Sequence, residues 1–163
     1  MTTRILAVCA GNICRSPAAE AAIQVAATRA GIDVEVDSAG TGSWQLGQPP
    51  HPQAAAAAAR AGLEPRGRAR MVNRSDFGRF DIIVVMDRAN LRDVLALAPG
   101  LEDRAKVRLF RTFDPSTESE EVPDPYGGPD QGYDEMITQV IAAANGLIES
   151  LQSIREQDPV SLQ

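Results

Sequence analysis

The tightest constraint on the fold lies near the N-terminus. Residues 4–9 read Arg-Ile-Leu-Ala-Val-Cys, an unbroken apolar run without alternation. Such a run suits a strand buried on both faces of a parallel sheet. Gly11 and Asn12 interrupt it at once, and Ser16-Pro17 opens an Ala-rich stretch that ends near Ala30, before Gly31. Serine is a favoured helix N-cap, proline suits the first helical position and glycine marks the stop. A buried strand passing through a tight loop into a helix is the opening of a crossover unit.

The rest of the chain repeats the alternation. Val34 to Val36 reads as a second strand, and Ser38 to Pro52 as a loop too long for a mere connector. A helix is expected from Gln53 to Ala61, a helical turn at Ser75-Asp76-Phe77 and a strand from Asp81 to Met86. A helix from Ala89 to Ala98 stops at Pro99-Gly100, and a fourth strand covers Lys106 to Phe110. Thr112 to Gly132 is a polar, proline-bearing loop; a last helix runs from about Tyr133 to Arg155, and the residues after it are expected to fray. Strands alternating with helices imply an α/β fold, an open parallel sheet with helices on both faces. Ligands of such sheets bind beyond the carboxyl ends of the strands, where Cys9 to Arg15 falls.

That segment reads Cys9-Ala10-Gly11-Asn12-Ile13-Cys14-Arg15-Ser16-Pro17. An arginine six residues after a cysteine is a weak motif alone. Between a buried strand and a helix start, it acquires a chemistry. A tight loop there points successive backbone N–H groups inward as an anion nest, and the helix adds its positive end. Gly11 and Asn12 are residue types that tolerate positive φ as the loop closes. Arg15 offers a planar fork to two phosphate oxygens, which sets Cys9 beneath the phosphorus. The same field favours a thiolate, to which the Ser16 hydroxyl can donate, and thiolate is the active nucleophile. On its own, a cysteine at a strand end is a small buried hydrophobe; the surrounding loop reverses that reading.

Whole-chain properties narrow the classes. A length of 163 residues suits one domain spanning 1–163, and the net charge of −6 argues against nucleic acid or a membrane surface as partner. Two cysteines and one histidine, His51, are too few for a disulfide framework or a four-ligand zinc site. The apolar run from Ile5 to Ala10 is too short for a membrane span or a signal peptide, so a cytoplasmic protein is expected.

The loop resembles, almost residue for residue, the Cys-x-Gly-Asn-x-Cys-Arg-Ser-Pro segment of the low-molecular-weight protein tyrosine phosphatases. Asp37-Ser38-Ala39-Gly40-Thr41, Met86-Asp87 with Asn90-Leu91, and Asp124-Pro125-Tyr126 fall where that family places similar segments. The resemblance implies a four-stranded parallel sheet and two-step hydrolysis of phosphotyrosine through a phosphocysteine, without metal or other cofactor. It makes Cys9 the nucleophile, Arg15 the phosphate ligand and Asp124 the general acid. Ala10, Gly11, Asn12, Ile13, Cys14 and Ser16 complete the phosphate loop, and the implied partner is a phosphotyrosine-bearing protein or peptide. Two positions depart from the family: Gly127 stands where many members carry a second aromatic, and Gly67 where some carry a histidine.

Tyrosine leaves as a phenolate, so a proton donor such as Asp124 assists it. Trp44 and Tyr126 are placed to flank a phenyl ring at the mouth. The cluster Arg66, Arg68, Arg70 and Arg74 reads as a solvated face with one structural ion pair at most, and His51 and Asp87 read as structural. Cys14 either packs against the helix start or pairs with Cys9 under oxidation. An arsenate reductase would need further cysteines, a phosphoarginine phosphatase tends to carry Thr at the Ile13 position, and a binding-only module would not need Cys9, Arg15 and Asp124 together.

Overall fold

A computed structural model describes residues 1–157. Four strands, β1 (Thr3–Cys9), β2 (Val34–Gly40), β3 (Ile82–Val85) and β4 (Val107–Leu109), form one parallel sheet in the order β2-β1-β3-β4. The apolar run thus becomes a central strand, with Ile5, Leu6, Ala7 and Val8 at 0 % exposure. Burying a Leu, Ile or Val side chain stabilises by roughly 1.5–3 kcal/mol, which rules out a surface position for this segment.

Among the described residues six helices flank the sheet: α1 (Arg15–Ala30), α2 (Pro52–Arg60), α3 (Asp76–Arg79), α4 (Arg88–Leu95), α5 (Leu101–Ala105) and α6 (Asp130–Gln157). One core joins Ile5, Ala7, Val84 and Met86 to α1, α2 and α6; the other joins Leu6, Val8, Ile83 and Val85 to Phe77, Phe80 and Val94. Alternate residues of β1 and β3 therefore feed opposite layers, as the pleat requires. On α1 the buried face is largely alanine (Ala18, Ala19, Ala22, Ala26, Ala27), which lets this helix lie close to the sheet and to α6.

The strands and helices fall close to the positions expected, with three differences. Strand β2 continues to Gly40, so the long loop starts later. The α1 N-cap is Cys14, and Ser16 lies inside the helix with its hydroxyl turned to Cys9 rather than to a backbone N–H. A fifth helix, α5, follows Gly100 where only a stop was read; none of its residues is buried, so no apolar period announces it. The fraying expected after Arg155 falls mostly outside the described residues.

The sheet places the site. The chain leaves β1 for β2 on one side and returns to β3 on the other, so β1 and β3 border the crevice where the winding reverses. The loop after β1 opens there. A 3₁₀ turn, Phe110–Phe113, then carries the chain from β4 into the proline-bearing loop. It packs against α6 at Gly146, where an added Cβ would stand 1.8 Å from the Phe113 carbonyl oxygen.

Candidate active site

A small pocket opens at the carboxyl end of β1, lined by Cys9, Ala10, Gly11, Ile13, Cys14, Arg15, Trp44, Gln45, Asp124 and Tyr126. Cys9 is 2 % exposed and stands at its base. Asn12 takes φ +59, the only non-glycine residue at positive φ among the described residues, as the closing of the loop requires.

The Asn12 side chain organises the loop from behind. Its Oδ1 accepts from the Arg70 N–H at 3.0 Å, which fixes the orientation of the amide. Its Nδ2 then donates to Ser16 Oγ at 2.8 Å and to Ser38 Oγ at 3.0 Å. Each hydroxyl has one proton left to give. Ser38 gives its proton to Glu20 at 3.1 Å. Ser16 lies 3.0 Å from Cys9 Sγ and 3.4 Å from the Ala39 carbonyl. When Cys9 is a thiolate it can only accept, so Ser16 is the donor. Gly67 contributes no side chain here; the donor to Asn12 Oδ1 is the Arg70 backbone.

Arg15 is buried at 2 % exposure. Its Nη1 donates to Asp87 Oδ2 at 2.7 Å and to the Val122 carbonyl at 3.0 Å. Burial alone would lower the guanidinium, but Cys9, Asp87 and Asp124 around it raise it above the ordinary arginine value. Its Nη2 stands 3.7 Å from Asp124 Oδ2, and the Asp124 side chain is half exposed. The Tyr126 N–H donates to Asp124 Oδ1 at 3.1 Å, which orients the carboxylate within the Pro123–Pro125 turn. Cys14 shares the wall. Burial first, then the neighbouring Cys9 and Asp124, push its thiol up to about 12, so it stays protonated at neutral pH.

Trp44 lies across Gly42, where a Cβ would stand 1.6 Å from the indole ring, so only glycine admits this arrangement. The indole is 66 % exposed and Tyr126 57 %, so both rim residues present their rings to solvent at the mouth.

The sequence of residues 4–157 matches the low molecular weight phosphotyrosine protein phosphatase family. The chain belongs to that family. A low molecular weight protein-tyrosine-phosphatase of Streptomyces coelicolor is 44 % identical over 161 residues, covering 96 % of each chain. A protein tyrosine phosphatase of Entamoeba histolytica, crystallised with Hepes in its active site, superposes with a TM-score of 0.90 at 33 % identity. That likeness covers 94 % of this chain and 99 % of the other. Vibrio vulnificus Wzb in complex with benzylphosphonate superposes with a TM-score of 0.80 at 25 % identity, over 91 % of this chain and 98 % of that one.

Within this family member, the fold brings together every residue singled out in the phosphate loop with Asp124, Trp44 and Tyr126. Asp87, read from sequence as structural, both caps α4 through the Asn90 N–H at 2.8 Å and holds Arg15. Its place directly after β3, beside the end of β1, was the available signal. Gln45 was not singled out; it reaches the pocket next to Trp44 and touches the Gly11 face. The arginine cluster holds more than the single structural ion pair expected: Arg70 pairs with both Asp37 at 2.9 Å and Asp76 at 3.1 Å, and Arg66 pairs with Glu64 at 2.9 Å on the exposed surface. Among the described residues, no cluster of three or more His, Cys, Asp or Glu has metal-binding geometry, and no helix is long and apolar enough to cross a membrane.

Proposed function

We propose that the protein hydrolyses phosphotyrosine in proteins or peptides through a phosphocysteine on Cys9. The observation that carries this reading is the convergence on one pocket of the Cys9 sulfur with its Ser16 donor, the buried Arg15 and the Asp124 carboxylate. Arg15 is anchored through Nη1, which leaves the Nε–Nη2 edge to grip two phosphate oxygens. The backbone N–H groups of the loop and the start of α1 hold the rest of the charge.

In the first step Cys9 Sγ attacks phosphorus, the bond from phosphorus to the tyrosine oxygen breaks, and Asp124 gives its proton to the departing phenolate. In the second, water attacks the phosphocysteine, the Asp124 carboxylate takes the proton, and phosphate leaves with the thiolate restored. Ser16 steadies the thiolate at both ends of the cycle. The rings of Trp44 and Tyr126 line the approach to a recessed sulfur, a geometry that favours a long aryl ester over phosphoserine. The bound benzylphosphonate of the Wzb complex, a phosphonate joined to a phenyl ring through one CH2 in place of an ester oxygen, supports this substrate class. A single domain, a cytoplasmic location and no cofactor accompany the reading.

The test is turnover of p-nitrophenyl phosphate by Cys9→Ser. Activity should vanish while vanadate or phosphate still binds, because the nest and Arg15 remain. Residual activity within tenfold of wild type in a folded variant overturns the assignment.

A further inference from the structure

His51 ties the phosphate loop to the acid loop. Its backbone N–H donates to the Ile13 carbonyl at 2.8 Å, which anchors it to the phosphate loop. Its Nδ1 accepts from the Gln53 N–H at 3.3 Å and caps α2. That bond fixes the ring orientation and, for the neutral imidazole, the tautomer carrying its proton on Nε2. The ring lies parallel to Tyr133, with centroids 5.4 Å apart and planes at 5°. It meets Tyr126 edge-on, at 5.5 Å and 70°. Tyr133 is fully buried, so it serves as a fixed floor, whereas Tyr126 is exposed.

The contact with Tyr126 reaches the chemistry in one further step. The Tyr126 N–H is the donor that orients Asp124, so whatever places Tyr126 places the carboxylate. Gly127 follows directly at φ +82, inside the turn that the Gly128 N–H closes on the Pro125 carbonyl at 2.9 Å, so Tyr126 and its N–H belong to one closed turn and a hold on the ring is a hold on that turn. A second clasp joins the same segments: Gln53 Nε2 donates to Asp130 Oδ1 at 3.0 Å and, at 3.5 Å, to the carbonyl of Gly128, which touches the turn's backbone and not the Tyr126 ring.

We propose that His51 is a positioning residue for proton transfer: its ring holds Tyr126, and through it Asp124, at a fixed distance from the phosphate loop. This rests on the reading of Asp124 as the general acid. Cap and ring are separable. Asparagine keeps the cap acceptor and removes the ring; phenylalanine keeps the ring and removes the acceptor. A structural role alone would follow the cap.

The readout is the ratio of kcat/KM on p-nitrophenyl phosphate, whose leaving group needs little protonation, to that on phenyl phosphate, whose leaving group needs much. In His51→Asn this ratio should rise about five- to tenfold, a fraction of what a positioned acid supplies, with the melting temperature near wild type. In His51→Phe the melting temperature should fall while the ratio stays within about twofold of wild type. Tyr126→Leu, at an exposed position, should raise the ratio as His51→Asn does, and the two together should do no more than one. An unchanged ratio in both His51→Asn and Tyr126→Leu, or an equal rise in His51→Phe, overturns the proposal. Asp124→Asn separates the two levels. If it leaves the ratio unchanged, Asp124 is not the acid and both readings fall; if it raises the ratio while His51→Asn and Tyr126→Leu do not, only the positioning role falls.

Discussion

Gly146→Ala sets two known effects against each other. In a helix interior, alanine is favoured over glycine by about 0.8–1.0 kcal/mol, so propensity alone predicts a more stable protein. Gly146 lies in α6 against the 3₁₀ turn, and the new methyl would stand 1.8 Å from the Phe113 carbonyl oxygen and 2.7 Å from its carbon. Ordinary contact needs about 3.4 Å or more, so the two backbones must part by more than an ångström. The obstacle is main chain, which cannot rotate away. Overpacking of this kind costs typically 1–3 kcal/mol and sometimes more, and the upper part of that range applies to a backbone clash. The net expectation is a loss of about 1–2 kcal/mol, or a fall in melting temperature of roughly 2–8 °C for a chain of this size. The turn also launches the loop that carries Asp124, so kcat/KM on phenyl phosphate should fall too. Gly78→Ala is the control, since a Cβ there meets nothing within 4 Å. Thermal and urea denaturation followed by circular dichroism make the comparison. A Gly146→Ala protein at least as stable as wild type would refute the close approach of α6 to the turn.

Arg15→Lys should lose at least a hundredfold in kcat/KM, because an ammonium cannot hold Asp87 and two phosphate oxygens at once; activity within threefold of wild type contradicts the fork. Burial, then the nearby Asp37, raise the Glu20 carboxyl to about 7, against the opposing pull of Ser38 and Arg70. A folded state that holds a proton more tightly than the unfolded chain loses stability as pH rises from the ordinary carboxyl range to about 7. Glu20→Gln removes that loss, so its stability relative to wild type should climb between pH 5 and 7 by about 1–2 kcal/mol after solvent screening, and then level off. A difference that stays constant from pH 5 to 8 rejects it. Peroxide should inactivate the protein reversibly, with a Cys9–Cys14 disulfide seen by peptide mass spectrometry, and phosphate should protect. Should Cys14→Ser recover under thiol reductant as fully as wild type, Cys14 only packs against the helix start.

The sheet was legible because its strands announce themselves locally. Ile5 to Val8 and Ile82 to Val85 are unbroken apolar runs, and both are central strands. The phosphate loop was legible because its chemistry is confined to adjacent residues. What the sequence hid is contact at long separation or without an apolar period. Arg15 and Asp87 are 72 residues apart, and the one signal for their contact, the place of Asp87 directly after a strand, depends on knowing that β3 lies beside β1. His51, read as structural, does cap α2; its ring contacts stayed hidden because Tyr126 and Tyr133 come from the far end of the chain. Ser16 was misplaced as an N-cap because the rule for caps knows nothing of a sulfur 3.0 Å away. Helix α5 was missed because it buries no residue.

The separation of Arg15 from its acceptors sets an order of assembly. The phosphate loop lies within the first seventeen residues and leaves the ribosome early, yet the groups that hold its arginine come from Asp87 and Val122, 72 and 107 residues later. A chain synthesised only as far as α3 has Cys9 and the loop after β1 but no acceptor for a guanidinium that the finished fold buries. Activity is therefore a property of the nearly completed chain, acquired when β3 docks beside β1 and the segment at Val122 pairs its N–H with the Met86 carbonyl. Nascent chains released before that point carry Cys9 and Arg15 without the two acceptors that hold the guanidinium in place.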